Sequence, residues 1–326
     1  MAFNSTPTTA SNILSPHRAR PNPSDPERIT PNVSNVVLGN LHIKPHYPSF
    51  YPSDLVGGSG RKTDWLYVCQ WCFKYTSEIL KYSGHCKVCS AKDEEPPGEI
   101  VYAKGDIEIR EVDGEEEKLW AQNLSLLSKL WLDTKSVFFD VGTFLYYPLI
   151  LKSEASEEGY GQVVGFFSKE KMSWDNNNVA CILILPPWQR RGLGQILIAA
   201  SYALGRREGR FGGPERPLSA MGRKGYVSYW CGEVFRYLMK VPGKKTVGVQ
   251  EISEGMYIAP EDVAVALREM GCWERRKSAG GSVVIKKGEL RRWAQKMGVS
   301  EAPVVDEEAF FFEESRKEED EGSEEG

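Results

Sequence analysis

The residues best suited to hold a phosphorylated ligand lie between Val179 and Gly209, in the sequence VACILILPPWQRRGLGQILIAASYALGRREG. Ala180 to Leu185 is an apolar run of strand length, which two prolines end before the loop Q-R-R-G-L-G. The two glycines precede a predicted helix, whose unpaired N–H groups suit a phosphate. The alternative is an ordinary strand-to-helix turn with surface arginines, because the loop is neither G-x-G-x-x-G nor a Walker sequence.

A candidate general base follows this predicted helix, in the segment Pro214-Glu215-Arg216-Pro217. Prolines on both sides restrict the backbone around Glu215. A carboxylate held in a rigid loop beside a ligand site can accept a proton. The alternative is a solvated loop glutamate with no chemical role.

A second set of chemistry-bearing residues has the spacing Cys69-x2-Cys72-x12-His85-x3-Cys89. Three thiolates and one imidazole predict a closed tetrahedral zinc site, with no open position for a catalytic water. A structural zinc is therefore predicted. A DNA-contacting finger is the alternative, although few bases lie between the second and third ligands.

The composition excludes several classes of protein. The chain has 326 residues and seven cysteines, and the clustering of four of them predicts metal binding in a reducing compartment. It has no apolar run of 18 residues, so no membrane span or membrane partner is predicted, and no secretory signal is visible. Net charge is −4, yet residues 301–326 hold 12 acids and 2 bases, which leaves residues 1–300 mildly basic.

The elements that must position these groups form an α/β (α+β) chain. The predicted strands are 66–69, 106–112, 136–141, 144–151, 162–167, 180–185 and 283–285. The predicted helices are 119–131, one after Gly194, one ending near 239, 260–270 and 290–297. Ser253 is predicted to cap a short helix. The predicted division is a disordered lead-in (1–60), a zinc-finger lobe (61–105), a catalytic core (106–245), a winged-helix-like lobe (246–300) and an acidic disordered tail (301–326) with a docking motif at Phe310 to Phe312.

With its sequence blocks taken in this order, the chain resembles the MYST family of histone acetyltransferases over about residues 60 to 295. The loop Q-R-R-G-L-G resembles the acetyl-CoA loop of the GCN5-related N-acetyltransferase (GNAT) fold. The other blocks that carry the resemblance are the Cys-Cys-His-Cys finger, KLWAQNLSLLSKLWLDTKSVFFDVGTFLYY, GFFSKEK, NVACILILPPWQRRGLGQ and GGPERPLSAMGRKGYVSYW. The implied fold is a GNAT-like acetyltransferase core between the zinc-finger lobe and the winged-helix-like lobe.

The resemblance implies a role for individual residues. Cys181 corresponds to the family's active-site cysteine, Glu215 to its general base and Lys135 to its autoacetylated lysine. The positions that match acetyl-CoA contacts are Ile182, Leu183, Ile184, Gln189, Arg190, Arg191, Gly192, Leu193, Gly194, Gln195, Ser219 and Ser228.

Lysine acetylation needs a neutral amine, and a carboxylate of raised pKa can take the proton. The four histidines, at 17, 42, 46 and 85, lie in the predicted lead-in or in the zinc site, which favours Glu215 as base. Because no histidine is available to activate the Cys181 thiol, direct attack by the lysine amine on acetyl-CoA is predicted. A covalent acetyl-Cys181 intermediate is the alternative, and a small buried residue lining the pocket is the third possibility.

The short architecture resembles the fungal silencing-associated branch of the family, whose substrate is histone H4 at lysine 16; histone H3 or other H4 lysines are alternatives. The resemblance also implies nucleosomal substrates, subunits of a multiprotein complex and a nuclear location. Two rival classes remain open, namely a zinc-finger and winged-helix DNA-binding protein and a catalytically idle scaffold of a chromatin complex.

Overall fold

The computed structural model describes residues 30–56, 62–152, 161–242, 247–275, 283–285 and 287–311. In these ranges the helices and strands form a finger lobe, a central sheet covered on both faces, and a helical C-terminal lobe. The described residues include no helix long and apolar enough to cross a membrane.

The finger lobe is built on a four-stranded sheet in the order β2-β1-β3-β4. Its elements are β1 (Val33–Leu38), β2 (Leu41–Ile43), α1 (Ser53–Val56), β3 (Thr63–Val68), β4 (Tyr75–Thr76) and α2 (Ile79–Lys87). Strand β1 runs parallel to β3, and Val33, Val36 and Leu38 are buried. The prediction of a disordered lead-in over residues 1–60 is therefore wrong for residues 30–56, because β1 pairs with a strand about 30 residues later in the chain.

The central sheet has five antiparallel strands in chain order, β5-β6-β7-β8-β9. Its elements are β5 (Glu99–Lys104), β6 (Ile107–Asp113), α3 (Lys118–Lys129), β7 (Phe144–Leu151), β8 (Gln162–Glu170) and β9 (Cys181–Ile184). Strand β5 lies within residues 61–105, predicted as the zinc-finger lobe, but belongs to the central sheet, and no strand forms over the described residues 136–141 predicted as one. Residues 153–160, between β7 and β8, lie outside the described residues.

Alternate side chains of β7 and β8 face opposite layers. Tyr146 and Phe166 pack with α3 and the finger lobe. Tyr147 and Phe167 pack with α4 (Leu193–Arg207) and α5 (Ala220–Lys240) on the other face. The sheet is therefore buried on both sides, and its strand β9 leads directly into the loop before α4.

The C-terminal lobe contains α6 (Val249–Met256), α7 (Pro260–Met270), the antiparallel pair β10 (Trp273–Arg275) and β11 (Val283–Ile285), and α8 (Lys287–Met297). This helix, hairpin and helix order agrees with the predicted winged-helix-like lobe. Ser253 lies inside α6 and is buried, so the prediction that it caps a helix is wrong; its hydroxyl donates to the Ile258 carbonyl at 2.6 Å.

The chain after α8 does not leave the protein surface at residue 301, as the predicted disordered tail required. Phe310 is buried against Tyr102 of β5, with ring centroids 4.8 Å apart, and the Phe311 N–H donates to the Val101 carbonyl at 3.0 Å. The burial of the apolar Phe310 side chain therefore outweighs the tendency of the surrounding acidic residues to keep this segment disordered. Residues 312–326, including Phe312 of the predicted docking motif, lie outside the described residues.

Candidate active site and zinc centre

The loop that carries Glu215 is bonded to the segment that enters β9. Val179 and Pro214 form a parallel bridge, and the Glu215 N–H donates to the Val179 carbonyl at 2.8 Å. Cys181 begins β9 two residues after Val179, where it is paired with Ser168 of β8. The structure thus brings the predicted base and the predicted active-site cysteine to the same end of β9.

The surroundings of Glu215 favour its neutral form more than water does. The residue is exposed as a whole, but the protein atoms around its carboxyl still raise the pKa above the ordinary value by desolvation. The negative charge of Glu170, at the end of β8, raises this pKa further, and Lys135 opposes the shift. A carboxylate with a raised pKa is a stronger base, as removal of a proton from an ammonium requires.

Lys135 is placed beside this pair. It is 5% exposed, and its Nζ lies 3.9 Å from the Cys181 Sγ. Lys135 directly follows a turn at residues 133–134 and begins an irregular segment, where the sequence predicted a strand over 136–141. Lys135 therefore links the two other residues, since it contacts the half-buried Cys181 and its charge acts on the Glu215 carboxyl.

The loop between β9 and α4 has the backbone that an anion site needs. Gly192 precedes α4 with φ +84°, and Arg190 also has a positive φ of +63°. A Cβ added at Gly192 would meet no atom within 4 Å, so the space before the helix is open. The Gln189 side chain donates to the Ile184 carbonyl at 2.8 Å, which fixes the loop to the end of β9. The exposed Arg190 and Arg191 add positive charge at the open N-terminus of α4.

The other predicted acetyl-CoA contacts surround this loop. Leu183, Ile184 and Leu193 are buried, and Ile182 and Gly194 are half-buried, so they offer backbone and apolar surface. A cleft of about 310 Å³ is lined by Gln195 and Ser228 together with part of α5 and residues 297–304. Ser219 caps α5, since its hydroxyl accepts from the Gly222 N–H at 3.0 Å.

The four predicted zinc ligands converge, and their ligand atoms all lie within 4.8 Å of one another. Both the Cys69–Cys89 and the Cys72–Cys89 sulfur pairs are 3.8 Å apart, and the Cys72 sulfur lies 3.3 Å from the His85 Nε2. Zn–S bonds of about 2.3 Å in a tetrahedron separate two sulfurs by about 3.8 Å. The residues therefore fit a structural zinc ion, and the nearby Cys86 is outside the cluster.

Two contributors to the site were not predicted from the sequence. Glu170 acts on Glu215 across 45 positions, and Asp262 of α7 pairs with Arg216, next to Glu215. A period-2 pattern along β8 is the only sequence signal that could have placed Glu170, and Asp262 resembles any acidic residue in a helical first turn.

The fold and the site define a class of protein in which a zinc-finger lobe is joined to an α/β core with a candidate anion-binding loop. The chain belongs to the MOZ/SAS family: its residues 95–310 match the model of that family, and its residues 30–89 match the MYST family zinc finger domain. The predicted resemblance and fold class are thereby confirmed.

Curated relatives carry consistent names. The chain is 42% identical over 238 residues to "Histone acetyltransferase MOF" of Drosophila melanogaster, covering 73% of this chain and 27% of that protein. It is 37% identical over 269 residues to "Histone acetyltransferase Tip60 homolog" of Caenorhabditis elegans (81% and 56%), and 35% identical over 267 residues to "Histone acetyltransferase ESA1" of Gibberella zeae (82% and 51%). The chain thus spans between about a quarter and somewhat over half of the length of these three relatives.

Proposed function

We propose that this protein is a histone lysine N-acetyltransferase that uses acetyl-CoA, with a lysine of the histone H4 tail, lysine 16 by resemblance, as acceptor. The observation that carries the proposal is the placement of Glu215, whose backbone is bonded to Val179 at the start of the strand that runs to the anion-binding loop. One end of β9 thus offers a base, and the other offers an open helix N-terminus. Family membership and the names of three relatives support the same reaction.

In the proposed reaction the acceptor lysine enters as an ammonium and loses a proton to the Glu215 carboxylate. The neutral amine then attacks the thioester carbon and forms the amide bond, the C–S bond breaks with CoA leaving as the thiolate, and the second amine proton passes to solvent. The open N–H groups before α4 and the arginines beside them would hold the pyrophosphate of the donor. The proton on Glu215 is afterwards released to solvent or to the leaving thiolate.

Cys181 fits direct transfer better than a covalent intermediate. The Lys135 Nζ lies 3.9 Å from its sulfur, and none of the described histidines, at 42, 46 and 85, has a contact with it. A thiol without a base beside it is a weak nucleophile. Its position at the entry of β9 suits a residue that lines the acetyl channel, and autoacetylation of Lys135 is consistent with the same proximity.

The zinc-finger lobe is proposed to be structural, and the histone H3 tail is an alternative acceptor. The proposed partners are nucleosomes and subunits of a multiprotein complex, and the proposed location is the nucleus. These proposals are based on relatives that are named histone acetyltransferases. The rival proposals, an idle scaffold or a DNA-binding subunit, predict no turnover.

The test is acetyl transfer from labelled acetyl-CoA to H4 and H3 tail peptides by wild type, Glu215→Gln and Glu116→Gln. Glu116 is an exposed carboxylate ahead of α3 and serves as the matched control. We expect transfer to H4 that falls about 10²- to 10⁴-fold in Glu215→Gln alone. Transfer that survives Glu215→Gln would refute the base and keep the enzyme, whereas a wild-type protein inactive on peptides and nucleosomes would favour the scaffold.

A further inference from the structure

The connection from β8 to β9 presents two large apolar side chains to solvent. Trp174 is 96% exposed and Met172 is 81% exposed. Exposed tryptophans of this kind are uncommon on a surface without a binding role, because burying an indole ring is strongly favourable. Both side chains lie on the segment that joins Glu170 to Cys181.

The Trp174 turn is held in place by backbone hydrogen bonds. The Asn177 N–H donates to the Ser173 hydroxyl at 3.1 Å, and Asn176 adopts a left-handed φ of +54°. At one end of the segment the Lys171 N–H donates to the Thr143 carbonyl at 2.9 Å, and at the other the Asn178 N–H donates to the Gly213 carbonyl at 2.9 Å. The indole is therefore carried by a fixed turn instead of a free loop.

The anchor at Gly213 fixes where this turn lies relative to the proposed chemistry. Gly213 is two residues before Glu215, and Asn178 is three residues before Cys181. The donor loop follows the opposite end of β9. The Trp174 turn consequently lies on the side from which an acceptor would reach Glu215.

The segment that carries Trp174 also contains two acidic residues. Asp175 follows Trp174 in the turn, and Glu170 ends β8; among the described residues neither forms an ion pair. The adjacent Lys171 is neutralised by Asp113, 2.7 Å away. An indole face next to a carboxylate suits a cation, and tryptophan is the aromatic side chain that binds a guanidinium best.

We propose that Trp174, with Asp175 and Met172, binds a basic side chain that flanks the acceptor lysine, with an arginine guanidinium on the indole face and its aliphatic stem against Met172. This inference rests on the proposed function and deepens it: Trp174 selects lysines within arginine-containing peptides. The turn acts on acceptor binding and takes no part in the chemistry at Glu215.

The experiment compares two peptides. In the first the acceptor lysine is flanked by arginines, and in the second each of these arginines is replaced by citrulline, its neutral isostere. Binding is measured by fluorescence anisotropy of labelled peptides, and KM and kcat are measured for both, with wild type, Trp174→Ala, Asp175→Asn and Leu80→Ala. Leu80 is an exposed apolar residue of the finger helix and is the control.

We expect wild type and Leu80→Ala to bind the arginine peptide about two- to fivefold more tightly than the citrulline peptide. Trp174→Ala should lose that preference through KM for the peptide, with KM for acetyl-CoA unchanged; Asp175→Asn should lose part of it. An arginine preference retained in Trp174→Ala, or absent from wild type, overturns the inference. Tryptophan-dependent binding without turnover would support the binding site and refute the proposed function.

Discussion

At the scale of single residues, the acidity of Glu215 is set by neighbours of opposite sign. Burial and the charge of Glu170 raise its pKa, and Lys135 lowers it. The base form exists above this pKa, so activity should fall on the acid side of the pH profile, at a higher pH than for an ordinary glutamate.

Removing the Glu170 charge should make Glu215 more acidic. We expect Glu170→Gln to move the acid limb of the kcat/KM profile to lower pH, because the like charge that destabilises the Glu215 carboxylate is gone. Lys135→Gln should move the same limb to higher pH. The measurement is kcat/KM against pH, with Glu116→Gln as the control that should show no shift. If Glu170→Gln and Lys135→Gln shifted the acid limb in the same direction, the assignment of that limb to Glu215 would be contradicted.

Gly192 contributes through its backbone alone. Its φ of +84° strains any residue with a Cβ, while a Cβ there would meet no neighbour. We expect Gly192→Ala to cost about 1 kcal/mol of unfolding free energy and to weaken acetyl-CoA binding, because the loop must leave its anion-binding conformation.

Gly105, in the β5–β6 turn, has a φ of +62° and equally open surroundings, and therefore supplies the matched control. The Gly105→Ala variant should show a similar loss of unfolding free energy, measured by urea unfolding. Its affinity for acetyl-CoA, measured by calorimetry, should be unchanged. Equal loss of affinity in both variants would assign the effect to general strain instead of the loop.

At the scale of elements, the loop that carries Glu215, the proposed base, is held between β9 and α7. The Arg216 guanidinium bonds the Asp262 Oδ1 and lies 5.8 Å from the centre of the Trp230 ring. Asp262 is 1% exposed, its Oδ2 has no partner among the described residues, and burial raises its pKa. The contact joins the residue after the base to the C-terminal lobe.

Loss of Arg216 should loosen this loop. We expect Arg216→Met to cost about 1–3 kcal/mol of unfolding free energy, because the buried Asp262 loses its donor. It should also lower kcat, with KM for acetyl-CoA unchanged. Lys104→Met, which breaks the exposed pair with Asp306, should leave both the unfolding free energy and kcat nearly unchanged. A kcat unaffected by Arg216→Met would remove the positioning role.

Local sequence patterns predicted most of the helices and central strands, since α3, α4, β7 and β9 each show a clear period or an apolar run. The same patterns missed β1, β2 and β5. Strand β1 is stabilised by β3, about 30 residues away, and such pairing leaves no local signal. In the site, spacing predicted the convergence of the zinc ligands, and the glycines before α4 predicted an open helix N-terminus, whereas Glu170 and Asp262 were not predicted, because their contacts arise only from tertiary packing.

At the scale of the whole molecule, the finger lobe and the core share one buried cluster. Phe73 follows Cys72 and packs on Trp120 of α3 with ring centroids 5.4 Å apart, and the Asn123 side chain donates to the Cys72 carbonyl at 3.3 Å. Zinc binding therefore supports α3, which in turn covers Tyr146 and Phe166 of the sheet. The metal contributes to the site by stabilising the layer behind it.

The segment after α8 makes the last long-range connection, across the edge strand β5. Two ion pairs, Lys104–Asp306 and Arg206–Glu307, lie along its path, and the Arg207 guanidinium is 5.8 Å from the centre of the Phe310 ring. Surface ion pairs contribute little on their own, so the buried ring should supply most of the docking free energy.

Phe310→Ala should therefore cost about 3 kcal/mol of unfolding free energy, because it empties a buried position against Tyr102. The neighbouring Phe311 is 56% exposed against 8% for Phe310, and Phe311→Ala should cost under about 0.5 kcal/mol, because its backbone hydrogen bond to Val101 is kept. Urea unfolding of both variants beside wild type makes the comparison. Equal stability of the two variants would mean that the acidic segment is held by its charges. In that case raising the salt concentration should release the segment, because salt screens exposed ion pairs but does not weaken the burial of an aromatic ring.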